Sequence, residues 1–556
     1  VAARCLLDQG ACICRVLGPT KMGLRATATR WAHDRWQRVT VAGVALGVAM
    51  LALFVLLFFM VIPAVVERLV IKQSELVEGS EVMERWKNPK FKMQFKVFVF
   101  SVRNPDEVLN GARPIVKESG PYVWDKVMKH EVTAAGNGTV TFKRKILYFF
   151  NEKDSCPTCI LGNRVWVPNI IYQKFVEVAS KPAMRAAATT LLAQTPFLEL
   201  EVGDLLFRGY KDPFLENFCD VPFVNVICQT VFALPERIGL FYGFNNSYID
   251  GEYTVKDGTM NIRERGDLVS FEGMDRLRKS WWTNEEALQL KGNEGSLFHP
   301  FVKRDETLWT FSNQLCRALP LVYEKDTEVR GIPTYRFVVP PATFDATENP
   351  GYCHPTDKVF YPQQHDNERH CYPRGIMQVA KCRPNEPPAV LSMPNFHLAP
   401  EEVRLSVEGL NATDEERDSV SVDVEPTLGM PVRAHRAMQI NIEFWAGKDI
   451  LLPAYHTKQR STLIPVVIVH DDAEIDDETL NKVKLELIMA QRVAAGACYL
   501  LLLTALALLA ATGIFALYKS GVLCGQRSDV YAADSPSGTS DKTMVSGDRN
   551  PTKYKV

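Results

Sequence analysis

Two stretches of the chain carry no charged residue: Val41–Val66, "VAGVALGVAMLALFVLLFFMVIPAVV", and Val493–Tyr518, "VAAGACYLLLLTALALLAATGIFALY". About 20 apolar residues in a helix cross the hydrocarbon core of a bilayer, so each stretch can span with some tilt. The first also exceeds the roughly 7–15 residues of a signal-peptide hydrophobic region. Between them the period changes. "ERLVIKQSELVEGSEVMERWKNP" repeats Leu69, Leu76 and Met83 near helical spacing, which predicts a helix continuing the first span until Pro89. "FKMQFKVFVFSV" alternates, with Phe91, Met93, Phe95 and Val97 on one face, and predicts a strand. "PYVWDKVMKHEVTAAGNGTVTFKRKILYFF" predicts two strands joined at Ala135–Gly138, where Asn-Gly supplies the turn. "NIIYQKFVEVAS", "AMRAAATTLLAQ" and "LEVGDLLFRGY" predict helices, the second unusually apolar for a surface element. From residue 300 to 470 short strands are cut by Pro and Gly, as in "YRFVVPP" and "AVLSMPNFHL". Strand-rich runs around a helical insert predict an α+β fold, one large antiparallel barrel or sandwich with helices grouped at one end.

Charge then orients the spans. The first 40 residues carry Arg4, Arg15, Lys21, Arg25, Arg30, Arg35 and Arg38 against two acids, and the tail after Tyr518 opens with Lys519 and Arg527. Basic residues stay on the cytosolic side, which predicts cytoplasmic tails at 1–40 and 519–556, spans at 41–66 and 493–518, and an extracytoplasmic domain at 67–492. The chain begins with Val1 rather than Met, which leaves open whether residues precede it. A formal net charge of −1 offers no basic surplus for nucleic acid.

Topology changes how the cysteines read. Eight fall between the spans: Cys156, Cys159, Cys219, Cys228, Cys316, Cys353, Cys371 and Cys382. An even number on the oxidising side predicts disulfides, although eight cysteines allow roughly a hundred pairings. A zinc site from Cys353, His354, His370 and Cys371 is the alternative. Its spacing does not pair ligands at both ends in the usual way, and thiolates seldom stay free outside the cell. "CPTC" at 156–159 has redox spacing, but nothing around it reads as a βαβ unit, so a small structural loop is expected. The same topology makes Asn137, Asn245 and Asn411, each in an Asn-x-Ser/Thr triplet, candidate glycosylation sites. No His-Glu-x-x-His or Gly-x-Ser-x-Gly motif occurs, and "DDAEIDDE" at 471–478 reads as the solvated start of a helix. Neither a catalytic site nor a cofactor is expected. A ligand-gated channel would need a polar pore helix, and the spans offer only Thr504, Thr512 and small residues.

Six segments carry a resemblance: "PNIIYQKF", "LLFRGYKDPF", "GLFYGFNNSYIDGEYTV", "LCRALPLVYEKDTEVRGIPTYRFVVPP", "ENPGYC" and "VAKCRPNEPPAVLSMPNFHLA". In this order they are similar to the class B scavenger receptor family, over roughly residues 40–520 and with the same two-span layout. That family includes the platelet fatty-acid translocase, the high-density-lipoprotein receptor, lysosomal integral membrane protein two and the insect sensory neuron membrane proteins. The resemblance implies an antiparallel barrel crowned by a helical bundle, with an apolar tunnel from the crown toward the membrane. It implies that Cys316, after "WTFSNQL", pairs with Cys382, and Cys353 with Cys371. Pro355 stands where some mammalian members carry a further cysteine. For the rest we expect Cys219 with Cys228 and Cys156 with Cys159, pairings the resemblance does not support. In the crown, Arg185, Leu191, Leu192, Phe197 and Leu198 are candidate ligand-facing residues, or else the crown's own core. The middle of that segment, "LLAQTP", has no basic residue, and Glu199, Glu201 and Asp204 follow, which opposes a preference for acidic ligands.

The function implied is binding of lipids or lipoproteins and transfer of fatty acid, sterol or carotenoid. The family alternatives are lysosomal lipid export or enzyme sorting, and chemosensory reception of lipid pheromones. Expected partners are lipid or lipoprotein ligands, the membrane, a second copy of the chain and a PDZ-domain adaptor. The last rests on Tyr554-Lys555-Val556, a spacing suited to strand addition with carboxylate capture, against the alternative of an unread tail. Cys524, six residues past the second span, is placed for S-palmitoylation or stays a free thiol. Residues 519–556 hold no Leu-Leu or Leu-Ile, Tyr531-Ala-Ala-Asp534 lacks a bulky apolar residue, and Leu6-Leu7 has no acid upstream. These features favour the plasma membrane over the lysosomal membrane.

Overall fold

The computed structural model describes residues 22–182, 195–213, 215–216, 237–248, 251–361, 364, 368–448, 450 and 459–520. The chain divides into two compact units, Pro63–Val493 and the two ends beyond it. In the first, the described residues form fifteen strands in chain order: β1 Phe91–Val102, β2 Val116–Gly136, β3 Thr139–Phe150, β4 Arg164–Pro168, β5 Phe197–Glu201, β6 Glu252–Lys256, β7 Leu268–Phe271 and β8 Leu308–Ser312. They continue with β9 Arg317–Val329, β10 Ile332–Val338, β11 Ile376–Gln378, β12 Ala389–Ser392, β13 Val420–Glu425, β14 Met430–Phe444 and β15 Thr462–Ile475. Thirteen form one antiparallel sheet in the order β7-β6-β3-β2-β1-β15-β14-β13-β10-β9-β8, with β12 on β14 and β11 on β12, while β4 and β5 pair separately. The β2–β3 turn sits on Asn137-Gly138, both at positive φ, as the Asn-Gly signal requires.

Strand-to-strand pairing does not close this sheet into a ring. Two residues lie between its edges instead. The Leu268 amide of β7 donates to the Gly292 carbonyl at 2.7 Å, the Asn293 amide donates to Trp309 O of β8 at 3.1 Å, and the Phe311 amide donates to Asn293 O at 2.6 Å. Gly292 has φ +73°, and a Cβ there would run into the Trp309 carbonyl, so only glycine fits.

Elsewhere the chain departs from the pattern. The helix expected to run from the first span to Pro89 ends at Ser74. Gly79 then turns with φ +80°, and Ser80 caps a new helix, Glu81–Lys87, its hydroxyl accepting from the Met83 amide at 3.1 Å. "DDAEIDDE" is a strand end before it is a helix start. β15 runs through Ile475, so Asp471 and Asp472 belong to the sheet, and Asp476 caps Asp477–Val483. Residues 200–210, expected as helix, instead hold the end of strand β5 and a π-helical turn, Asp204–Arg208. "AMRAAATTLLAQ" lies outside the described residues.

Among the described residues, two helices are long and apolar enough to cross a membrane, Arg35–Ser74 and Asp477–Lys519. In the second unit they approach closely where Gly43 and Gly47, four apart, leave room for the side chains of Thr512 and Leu509.

Candidate functional site

Cross-strand partners in an antiparallel sheet share a face, so the register sorts the side chains. One row runs Phe150–Trp124–Phe95–Asp471–Arg436–Val420 across β3, β2, β1, β15, β14 and β13. The next runs Tyr148–Lys126–Met93–Ala473–Ala434–Val422–Phe337–Tyr323. A third holds Tyr122, Val97, Val469 and Met438. This face is mostly apolar. Phe207 and Phe241 pack onto it, 5.0 Å from Trp124 and 5.1 Å from Phe95 between ring centroids. Its apolar clusters meet at Ile440, which touches both the Phe95–Trp124 group and the Leu321–Phe337 group. Tyr148, Phe150, Val469, Met438 and Ile440 remain only half-buried, although they point to the same side as the core.

Three charges interrupt that wall. Lys126 Nζ donates to Asp471 Oδ1 at 2.5 Å, and Arg436 Nη2 donates to Asp471 Oδ2. Their side chains are 7%, 16% and 50% exposed for Lys126, Asp471 and Arg436. Burial pushes the Asp471 carboxyl upward, but the adjoining Lys126 and Arg436 outweigh it and hold the group well below the usual carboxylate range.

The opposite face is polar. Lys92, Lys96, Arg336, Arg433, His435, Asp472 and Glu474 line a groove of about 560 Å³. His435 Nδ1 lies 2.6 Å from Asp472 Oδ1, and although burial works against it, this carboxylate raises its pKa. His470, whose ring is 5.4 Å from that of His435 and 5.2 Å from Phe98, is pushed down to about 4 by burial and by His435.

A family model described as the CD36 family matches residues 45–516. The chain belongs to the CD36 family. Lysosome membrane protein 2 of Rattus norvegicus is 29% identical over 427 residues, covering 75% of this chain and 82% of its own. Scavenger receptor class B member 1 of Mus musculus, a receptor by its name, is 29% identical over 478 residues, covering 85% and 87%. Sensory neuron membrane protein 1 of Heliothis virescens is 28% identical over 476 residues, covering 81% and 86%.

In this CD36-family chain the sulfurs are joined Cys316–Cys382, Cys353–Cys371 and Cys156–Cys159, with Cα separations of 6.4, 5.7 and 5.0 Å. The first ties the β8–β9 turn to the segment before β12. The histidines beside the second are held by backbone: His354 Nε2 lies 2.6 Å from Trp281 O and His370 Nε2 lies 3.0 Å from Lys358 O. Asn137, Asn245 and Asn411 are exposed, and Asn411 Nδ2 donates to Glu118 Oε2 at 2.8 Å. Phe197 and Leu198, taken as crown residues, lie in β5. Phe197 is 4% exposed and packs on Phe444 with centroids 4.8 Å apart, while Leu198 pairs with Val167 and is 9% exposed. Both therefore serve the core. Arg185, Leu191, Leu192, Cys219, Cys228 and Cys524 lie outside the described residues.

The charged triad went unnoticed in the sequence, yet each member leaves a trace. Lys126 follows Tyr122 and Trp124 at period two, Asp471 follows Val467 and Val469, and Arg436 precedes Met438 and Ile440. A charge in the apolar phase of a strand is the signal.

Proposed function

We propose that the chain is a two-span receptor that binds lipids or lipoproteins and passes apolar cargo along the enclosed apolar face toward the membrane. The observation that carries this reading is the set of half-buried apolar side chains, Tyr148, Phe150, Val469, Met438 and Ile440, on the face that also carries the core clusters. A well-packed interior would bury them fully, and an acyl chain laid against them would complete their burial. Each methylene contributes about 0.8 kcal/mol on leaving water, so chain length rather than catalysis sets the driving force. The tunnel and helical crown belong to this proposal, as does residence at the plasma membrane rather than the lysosomal membrane.

Full-length protein in phosphatidylcholine nanodiscs, titrated with fatty acids of eight to eighteen carbons, tests the proposal. Affinity should rise with chain length, and a flat series would refute it. Surface biotinylation tests location: a protein largely shielded from the reagent and coincident with a lysosomal marker would overturn the surface assignment.

A further inference from the structure

The Lys126–Asp471–Arg436 cluster stands out on the face it occupies. Its row carries Phe150, Trp124 and Phe95 on one side and Val420 on the other. Buried ion clusters seldom add stability over apolar residues of similar volume, so stability alone is a poor reason for this one. Lys126 is buried and Asp471 largely so, 16% of its side chain remaining exposed, whereas half of the Arg436 side chain is exposed. A guanidinium has five donors, and among the described residues its charged partner is Asp471, reached through Nη2. The adjacent row adds a second observation. It is bulky at Lys126, Met93, Val422 and Phe337 but small at Ala473 and Ala434, the two positions beside Asp471 and Arg436. Alanines at these two positions crowd the neighbouring guanidinium less than their bulky row mates would. Lys126 also holds Asp471, so the carboxylate is shared between two cations and does not neutralise Arg436 alone.

We propose that Arg436 is a specificity-determining residue, the anchor for the anionic head of a single-chain amphiphile whose tail lies along Met438, Ile440 and Val469. The head-group chemistry it fits is a carboxylate, because a guanidinium presents paired donors that match two oxygens at once. The three tail positions continue the same face, Met438 and Ile440 along β14 from Arg436 and Val469 opposite Met438. This anchor rests on the lipid-binding reading and adds to it a preference that an apolar surface alone cannot supply: a fatty acid over the alcohol of equal length.

Full-length protein in phosphatidylcholine nanodiscs should be titrated with palmitate and with hexadecanol, each read by crosslinking of its own photoreactive analogue. Wild type should favour palmitate. Arg436→Gln should weaken palmitate by about 10- to 100-fold, the worth of a hydrogen bond to a charged group, and leave hexadecanol unchanged. Arg436→Lys should retain part of the preference. Retained hexadecanol binding shows that a variant has folded. Equal wild-type affinity for both ligands, or an Arg436→Gln variant that binds hexadecanol and still favours palmitate as wild type does, would overturn the anchor while leaving the lipid reading intact. Binding of neither ligand by wild type would sink both.

Discussion

Replacing Asp471 with Asn keeps the size of the side chain and removes the charge that Lys126 and Arg436 share. Lys126 is 7% exposed and cannot reach bulk water as it stands. Breaking a buried ion pair from one side costs about 3–5 kcal/mol, because the remaining charge is stranded. Arg436, half exposed, rehydrates and adds little. Unfolding entropy of about 2.1 cal/mol/K per residue, over a unit the size of Pro63–Val493, makes 1 kcal/mol worth roughly 1 °C. Asp471→Asn should therefore lower the midpoint of thermal unfolding by about 3–6 °C, followed by intrinsic fluorescence at one fixed heating rate. The pair Lys126→Met with Asp471→Leu should recover most of the loss, since an apolar replacement leaves no unpaired charge. The pH profile gives a second readout. Folding lowers the Asp471 pKa, so its contribution is fully present above the ordinary aspartate value of about 4 and fades as pH falls toward the folded value. The penalty of Asp471→Asn should thus be the same at pH 5 and pH 7.5. A single variant within 1 °C of wild type would refute the assignment of Lys126 and Asp471 to one buried pair.

Three further outcomes are expected. Cys382→Ser opens a loop of 66 residues, a loss of about 4 kcal/mol on the chain-entropy account, so the variant should accumulate in the secretory pathway. Non-reducing peptide mapping that recovered Cys316 and Cys382 as free thiols in wild type would contradict the pairing. His470 is lowered to about 4 on folding from an unfolded value of about 6.5. The unfolded chain then binds the extra proton as pH drops through this window, and stability falls by up to about 2 kcal/mol at pH 5. His470→Phe should shrink the difference in melting temperature between pH 7.5 and pH 5 by about 2 °C, and an unchanged difference would exclude His470 as its source. Gly292→Ala must push the new Cβ against the Trp309 carbonyl, so hydrogen exchange should quicken at Leu268 and Phe311; unaltered protection there would show that the edges hold without this contact.

How far the chain could be read depended on whether a signal was local. Alternation placed β1 at Phe91–Val102, and the Asn-Gly pair placed the β2–β3 turn, because strand period and turn chemistry are written within a few neighbouring residues. The helix extension failed at Gly79-Ser80, where a positive φ and a cap outweighed the spacing of Leu76 and Met83. Asp471 was misread for the opposite reason. Its environment is set by Lys126, 345 residues away, and no window along the chain joins the two. Phe197 and Leu198 were apolar and near the crown in sequence, but as neighbours in β5 they face opposite sides, and both sides are covered. Pairing partners and register carry the information that composition lacks.

The two residues between the sheet's edges have a bearing on solubility. A strand edge with unpaired amides and carbonyls is a template on which a second molecule can add its own strand. Here β7 and β8 would each offer such a border. Gly292 and Asn293 engage Leu268 on one side and Trp309 and Phe311 on the other, so each border meets a piece of its own chain before it can meet a foreign one. Because the insert is so short, a single enlarged side chain at Gly292 would unmask both borders together. Clumping during synthesis, rather than a lost binding activity, is then the first defect such a change should produce.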